Sequence, residues 1–173
     1  MKELVWVFGN SAAGKETFIR NIANGKATGA TEKLGWTNIN VAISEASIKF
    51  IGQFNNDPIT KHRDKILTEV PELLKHSDVV LIKYQSVDSE SGRLEELNKQ
   101  LPDVLHRIIL IVTPEQELVK RLPQKSWWND DDVNGFISED TQCTADEISR
   151  LQSRFFITKI SGNPSDNYSL IEI

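Results

Sequence analysis

Nine consecutive residues, Gly9-Asn10-Ser11-Ala12-Ala13-Gly14-Lys15-Glu16-Thr17, constrain this chain more than any other feature. They match the spacing G-x-x-x-x-G-K. An apolar run at 4–8 precedes them, and Phe18, Ile19 and Ile22 follow on one helical face. A glycine loop set between a buried strand and an amphipathic helix has a definite physical use. Gly9 and Gly14 allow a tight turn in which successive N–H groups point inward at an anion. The helix that opens near Lys15 adds unpaired donors and a positive dipole end, and the lysine adds a point charge. The segment predicts a site for the phosphates of a nucleoside triphosphate, ATP with Mg²⁺ being the expected pair. Lys15 is followed by Glu16 where a Ser or Thr hydroxyl would ordinarily ligate the metal, and Thr17 comes one residue later. Glu16 is therefore either a solvent-facing residue near the dipole end or a metal ligand alongside Thr17.

The rest of the chain repeats the same alternation. Apolar, β-branched runs at 39–43, 79–84 and 108–112, with a weaker one at 155–160, add four strand candidates to the first. Helical spacing lies between them. The first helix ends at Gly25. Ile59, Ile66, Leu67, Val70, Leu73 and Leu74 mark a longer one that Pro71 should kink or divide. Leu94, Leu97 and Leu101 mark a third. Thr113-Pro114-Glu115-Gln116 reads as a capped start with proline at the first helical position. Thr144 with Glu147 reads as another capping box. Strands that are continuously apolar and alternate with helices belong to a parallel sheet covered on both faces. The expected fold is therefore α/β and doubly wound. It has a mostly parallel five-stranded sheet and makes a single nucleotide-binding domain over 1–173. The stretch 46–54 is either a short helix or a strand extension. Residues 122–142 show no clear period and are expected to form a lid or mobile loop with Gly135 as a pivot.

Composition removes other classes. The formal net charge is −5 and no basic cluster occurs, whereas a nucleic-acid binder normally needs a basic excess to neutralise phosphate. No segment approaches the roughly 18 apolar residues that a membrane helix needs. Cys143 is the only cysteine, so an internal disulfide is excluded and a reducing, cytoplasmic setting is expected. His62, His76 and His106 lack metal-ligand spacing and are expected to be structural or surface residues.

On its glycine loop, with Gly14-Lys15 and then Thr17, the chain resembles the small P-loop kinases, the group of adenylate, shikimate and gluconate kinases. Two weaker local features add to the likeness. Ile108 through Glu115, continuing to Arg121-Leu122, is similar to the strand–helix unit that leads into a mobile lid in that group. Ser161-Gly162-Asn163-Pro164-Ser165 is similar to the loop that packs on the adenine. The resemblance implies an ATP-dependent phosphotransferase acting on a small-molecule acceptor, such as a nucleoside or nucleotide. In that reading Arg121 faces the transferring group, and Gly162, Asn163 and Pro164 flank the base. Other classes remain open: a nucleotide-binding or sensing module with little turnover, and an ATPase coupled to a protein partner. Asn98-Lys99-Gln100-Leu101 ends in leucine and so is no guanine-reading motif.

In open α/β sheets the ligand lies at the carboxyl ends of the strands, which selects Gly9, Glu45, Lys83 with Gln85, Thr113 and Gly162 as neighbours. Glu45 is either a base for an acceptor hydroxyl or a helix-start carboxylate. Lys83 is expected to snorkel, to pair with a carboxylate or to meet phosphate. Gln85 and Asp88 are either holders of metal-bound water or turn residues. Trp127 and Trp128 either pack down their loop or cover a ligand.

Overall fold

The computed structural model describes residues 1–48, 63–85, 88, 92–129, 131–163 and 168–171. Strand β1 (Glu3–Gly9) is followed by helices α1 (Lys15–Ala23) and α2 (Thr28–Lys33), then by β2 (Val41–Ile43) and the short α3 (Glu45–Ile48). Next come α4 (Ile66–Leu74), β3 (Val79–Lys83), α5 (Arg93–Gln100) and β4 (Leu105–Val112). The chain closes with α6 (Glu115–Arg121), a 3₁₀ turn (Leu122–Gln124), α7 (Val133–Leu151), β5 (Phe156–Ser161) and β6 (Leu170–Ile171).

The strand order is β2-β3-β1-β4-β5-β6. The five strands read from the sequence all pair in parallel. A sixth, the two-residue β6, adds an antiparallel edge beside β5. All seven residues of β1 are buried, which is what the uninterrupted apolar run between two flanking strands demands. Alternate side chains then feed two cores. Val5, Val7, Leu81, Ile109 and Ile111 pack on one face with Phe18, Ile19 and Ile22 of α1 and Leu118 of α6. Leu4, Trp6, Val80, Ile82 and Ile108 pack on the other with Ile66 and Val70 of α4 and Leu94 and Leu97 of α5. Trp6 is fully buried, edge-on to Tyr84 at 5.7 Å between ring centres.

Of the two readings of Pro71, division is removed, since α4 runs through it unbroken. Ile59 falls outside the described residues. Three other local expectations are corrected. The strongest revision concerns 122–142, where α7 begins at Val133 and runs for 19 residues. Asp132 caps it by accepting a hydrogen bond from the Gly135 amide at 2.9 Å, so Gly135 sits in the first turn of a helix and not at a loop pivot. The Thr144/Glu147 pair therefore opens no helix. Glu147 is buried in mid-helix and accepts from the Tyr84 hydroxyl instead. Thr113 likewise does not cap α6, whose cap is Pro114.

Candidate functional site

The glycine loop hangs from the end of the most buried strand. Gly9 has a φ of +154°, and a Cβ there would lie 2.6 Å from the Ile111 carbonyl of β4, so only glycine fits. Ala12 adopts a left-handed φ of +64° and Gly14 one of +99°, which folds the chain back into α1. Three contacts fix this shape from outside. The Thr113 hydroxyl donates to the Ala13 carbonyl at 2.7 Å. Arg121 donates to the same carbonyl at 3.3 Å and to the Gly162 carbonyl at 3.3 Å. Gly162 passes so close that a Cβ would fall 2.7 Å from the Ala13 oxygen and 1.9 Å from the Thr113 hydroxyl.

Lys15 folds over the loop, its Nζ donating to the Gly9 and Asn10 carbonyls at 2.9 Å each. Its pKa is lowered from 10.5 to about 7, and burial of the ammonium is the largest cause. The positive charge of Lys83 is the next cause, Asp140 opposes the shift, and Lys125 adds to it. Lys83, at the end of β3, is also pushed down, first by burial and then by Lys125 and Arg63, with Glu16 opposing. The three lysines line one cavity of about 350 Å³ together with Gln85, Trp127, Asp140 and Cys143. A second cavity of about 500 Å³ adjoins it, lined by Gly14, Glu16, Thr17 and Arg20. A third, of about 420 Å³, lies behind the loop between Arg121, Gln124, Gly162 and Tyr168.

The remaining sequence candidates fall around these cavities unevenly. Glu45 is held by Arg20 of α1 through two hydrogen bonds of 2.6 and 3.1 Å. The same guanidinium lies 3.6 Å from Glu16, so Arg20 ties the two carboxylates together beside the second cavity. Asn163 donates its amide to the Ser161 hydroxyl at 3.2 Å. Pro164 lies outside the described residues. Asp88 is far from any metal role. Fully buried, it takes Arg63 through two bonds of 2.6 Å, Arg93 at 3.4 Å and the Gln85 amide at 2.9 Å. That cluster pins the end of β3. The two tryptophans meet each other at 6.3 Å between ring centres, and Trp127 also meets Phe136 at 6.1 Å. Trp128 packs against the core and edge-on to Phe136 at 5.2 Å, whereas Trp127 is 44% exposed and faces the cavities. Among the described residues no group of three His, Cys, Asp or Glu side chains is placed to hold a metal, and His62 lies outside them.

Arg20 and the Asp140–Thr141 pair of α7 were not singled out in the sequence. The Asp140 carboxylate accepts a hydrogen bond from the Ser11 amide at 2.7 Å, and the Thr141 hydroxyl accepts one from the Asn10 side chain at 2.9 Å. Their signal is a gap in a stripe. Val133, Ile137, Ile148 and Leu151 recur at helical spacing on the side of α7 that faces the protein. The polar residues between them, Asp140 and Thr144, fall where the helix crosses the loop and its cavity.

No family model matches the chain, and no curated protein matches it in sequence. Solved structures do. A shikimate kinase from Bacteroides thetaiotaomicron superposes with a TM-score of 0.56 at 16% identity, over 91% of this chain and 85% of the other. A gluconokinase from Sinorhizobium meliloti gives 0.50 at 15% identity over 92% and 82%. A structure of the PezAT chromosomal toxin–antitoxin system of Streptococcus pneumoniae gives 0.52 at 16% identity over 99% and 71%. The chain has the fold of the small P-loop kinases.

Proposed function

We propose that the chain is an ATP-dependent phosphotransferase that acts on a small molecule. One observation carries the reading. A strained glycine loop, braced from β4, α6 and β5, presents its amides and Lys15 to a cavity wide enough for a second reactant. Phosphoryl transfer of this kind asks little of the protein beyond positioning, charge and a proton acceptor. In this reading the loop from Gly9 to Gly14 and the Lys15 ammonium hold the β- and γ-phosphates. The nucleoside extends behind the loop, between Arg121, Gly162 and Tyr168. Arg121 neutralises charge on the phosphates from that side, and Glu45, oriented by Arg20, takes the acceptor's hydroxyl proton. Thr17 and Glu16 line the adjoining cavity and fit a Mg²⁺ that draws its other ligands from phosphate oxygens and water. The metal would supply charge neutralisation there.

The kinases among the superposing structures support this assignment through fold alone. A specific observation favours a second reading, a nucleotide-sensing module with little turnover. The strand beside the loop ends in Lys83 where an acidic residue would help to organise a metal, and a carboxylate already sits against the loop. A phosphotransfer screen separates the two. Mg²⁺·ATP is incubated with nucleosides, nucleotides and small alcohols, and ADP release is followed. Acceptor-dependent turnover at saturable concentration supports the kinase. ATP binding by calorimetry with no acceptor-dependent turnover supports the sensor.

A further inference from the structure

The glycine loop of this protein is met by α7 where it faces the cavity. Two adjacent residues of α7 dock on two adjacent residues of the loop. Asp140 accepts from the Ser11 amide at 2.7 Å, and Thr141 accepts from the Asn10 side chain at 2.9 Å. The first contact spans 129 positions of sequence, so it is made by the fold and not by local chain geometry. Its chemistry is that of a bound anion. A carboxylate oxygen, like a phosphate oxygen, is a charged acceptor, and loop amides of this kind are aimed at such a group. The same carboxylate is the acidic group that opposes the loss of charge on Lys15, and both line the 350 Å³ cavity with Lys83 and Lys125.

We propose that Asp140 is a built-in occupant of the loop's phosphate position, and that a triphosphate binds by displacing this carboxylate and lifting α7 from the loop. The inference rests on the reading of the loop as a nucleotide site. It assigns α7 the part of a gate whose closed state is held by the protein's own anion. The ligand must supply at least the charge that it removes, which favours polyanions such as nucleoside triphosphates over neutral nucleosides. A ligand's apparent affinity is its intrinsic affinity multiplied by the fraction of molecules in the open state.

Calorimetry with Mg²⁺·ATP and with inorganic tripolyphosphate tests this on the full chain. Asp140→Ala should bind both ligands about 10- to 100-fold more tightly than the wild type, the equivalent of one charge-assisted hydrogen bond released. Asp140→Asn, which keeps the shape and an acceptor oxygen but loses the charge, should fall between. Asp146→Asn changes the net charge equally on an exposed part of the same helix and should leave affinity unaltered. Circular dichroism shows whether each variant is folded. Equal affinity in wild type and both Asp140 variants overturns the gate while leaving the nucleotide site intact. An increase in Asp146→Asn as large as in Asp140→Ala also overturns it, because bulk charge would then be the cause. Binding of neither ligand by either wild type or Asp140→Ala overturns the nucleotide reading itself, and the gate with it.

Discussion

The hydroxyl of Thr113 donates to the carbonyl of Ala13 at 2.7 Å, joining the end of β4 to the glycine loop across 100 residues of sequence. Arg121 reaches the same oxygen at 3.3 Å, and Gly162 passes beside both. The loop is thus shaped as much by its neighbours as by its own glycines.

Thr113→Val removes that donor while keeping the side chain's volume. The Ala13 oxygen retains Arg121, so the expected loss is about 1 kcal/mol of unfolding free energy and not the full cost of an orphaned buried acceptor. Urea denaturation measures it. ATP affinity should weaken as well, because a less constrained loop must be ordered by its ligand. Unchanged stability and affinity together would show that Ala13 is held without Thr113.

Lys15 sets a pH dependence of definite sign. Its pKa in the free protein is about 7, against 10.5 unfolded, so between these values the unfolded chain binds more protons at this group. Stability from Lys15 therefore rises as pH goes from about 7 toward 10.5. ATP binding works oppositely. A triphosphate favours the ammonium, so affinity should fall as pH rises above about 7, with about one proton taken up per ATP at pH 8. Calorimetry in buffers of different ionisation enthalpy reads the uptake directly. Lys15→Ala should abolish it and weaken ATP binding by about 1.5–3 kcal/mol. Proton uptake that persists in Lys15→Ala would assign it to another group.

Glu45 is half exposed and paired with Arg20, which limits its worth to stability to less than about 1 kcal/mol. If it accepts the acceptor's proton, Glu45→Gln should keep ATP affinity, change thermal stability little and cut turnover by about 10²–10⁴-fold. A marked loss of stability with turnover preserved would return Glu45 to a helix-start role.

The contrast between the two tryptophans gives an optical test. Trp127 lines the cavities and Trp128 packs on Phe136, so ATP should shift the fluorescence of Trp127 far more. Trp127→Phe should remove most of the ligand-induced change at little cost in stability. Trp128→Phe should leave the change and lower the thermal midpoint. A full signal in Trp127→Phe would place the movement near Trp128, Trp6 or Trp36 instead.

The readable parts of the sequence were those where a single local cause acts. Strands β1 and β3 and the middle of β4 announce themselves because burial on both faces leaves no room for polar residues, and the loop does so because its turn needs Gly9 and Gly14. Strands β2 and β5 are only partly buried and show through their β-branched residues. Helix α7 was hidden for the opposite reason. Its inward side must meet two cores and a polar loop, so Asp140 and Thr144 interrupt the stripe between Ile137 and Ile148. Thr144 and Glu147 then imitated a helix start in the middle of a helix. Asp88 does close a turn with Gln85, as one of its two readings had it, but its ion pairs were not legible. Its partners, Arg63 and Arg93, are 25 and 5 positions away, and no spacing rule links them. Arg20 and Glu45 meet only because α1 packs beside the end of β2.

The central place of β1 has a consequence for how motion is distributed. Its backbone is bonded to β3 on one side and β4 on the other, with every residue buried. Amides so placed exchange with solvent only when the whole domain opens, whereas a helix that touches a loop through two polar pairs can lift at far lower cost. Strand β1 thus belongs to the slowest-exchanging part of the molecule, and α7 over its loop to a faster one. Hydrogen exchange would divide the site into a fixed half that defines the ligand's position and a compliant half that sets how quickly it arrives and leaves.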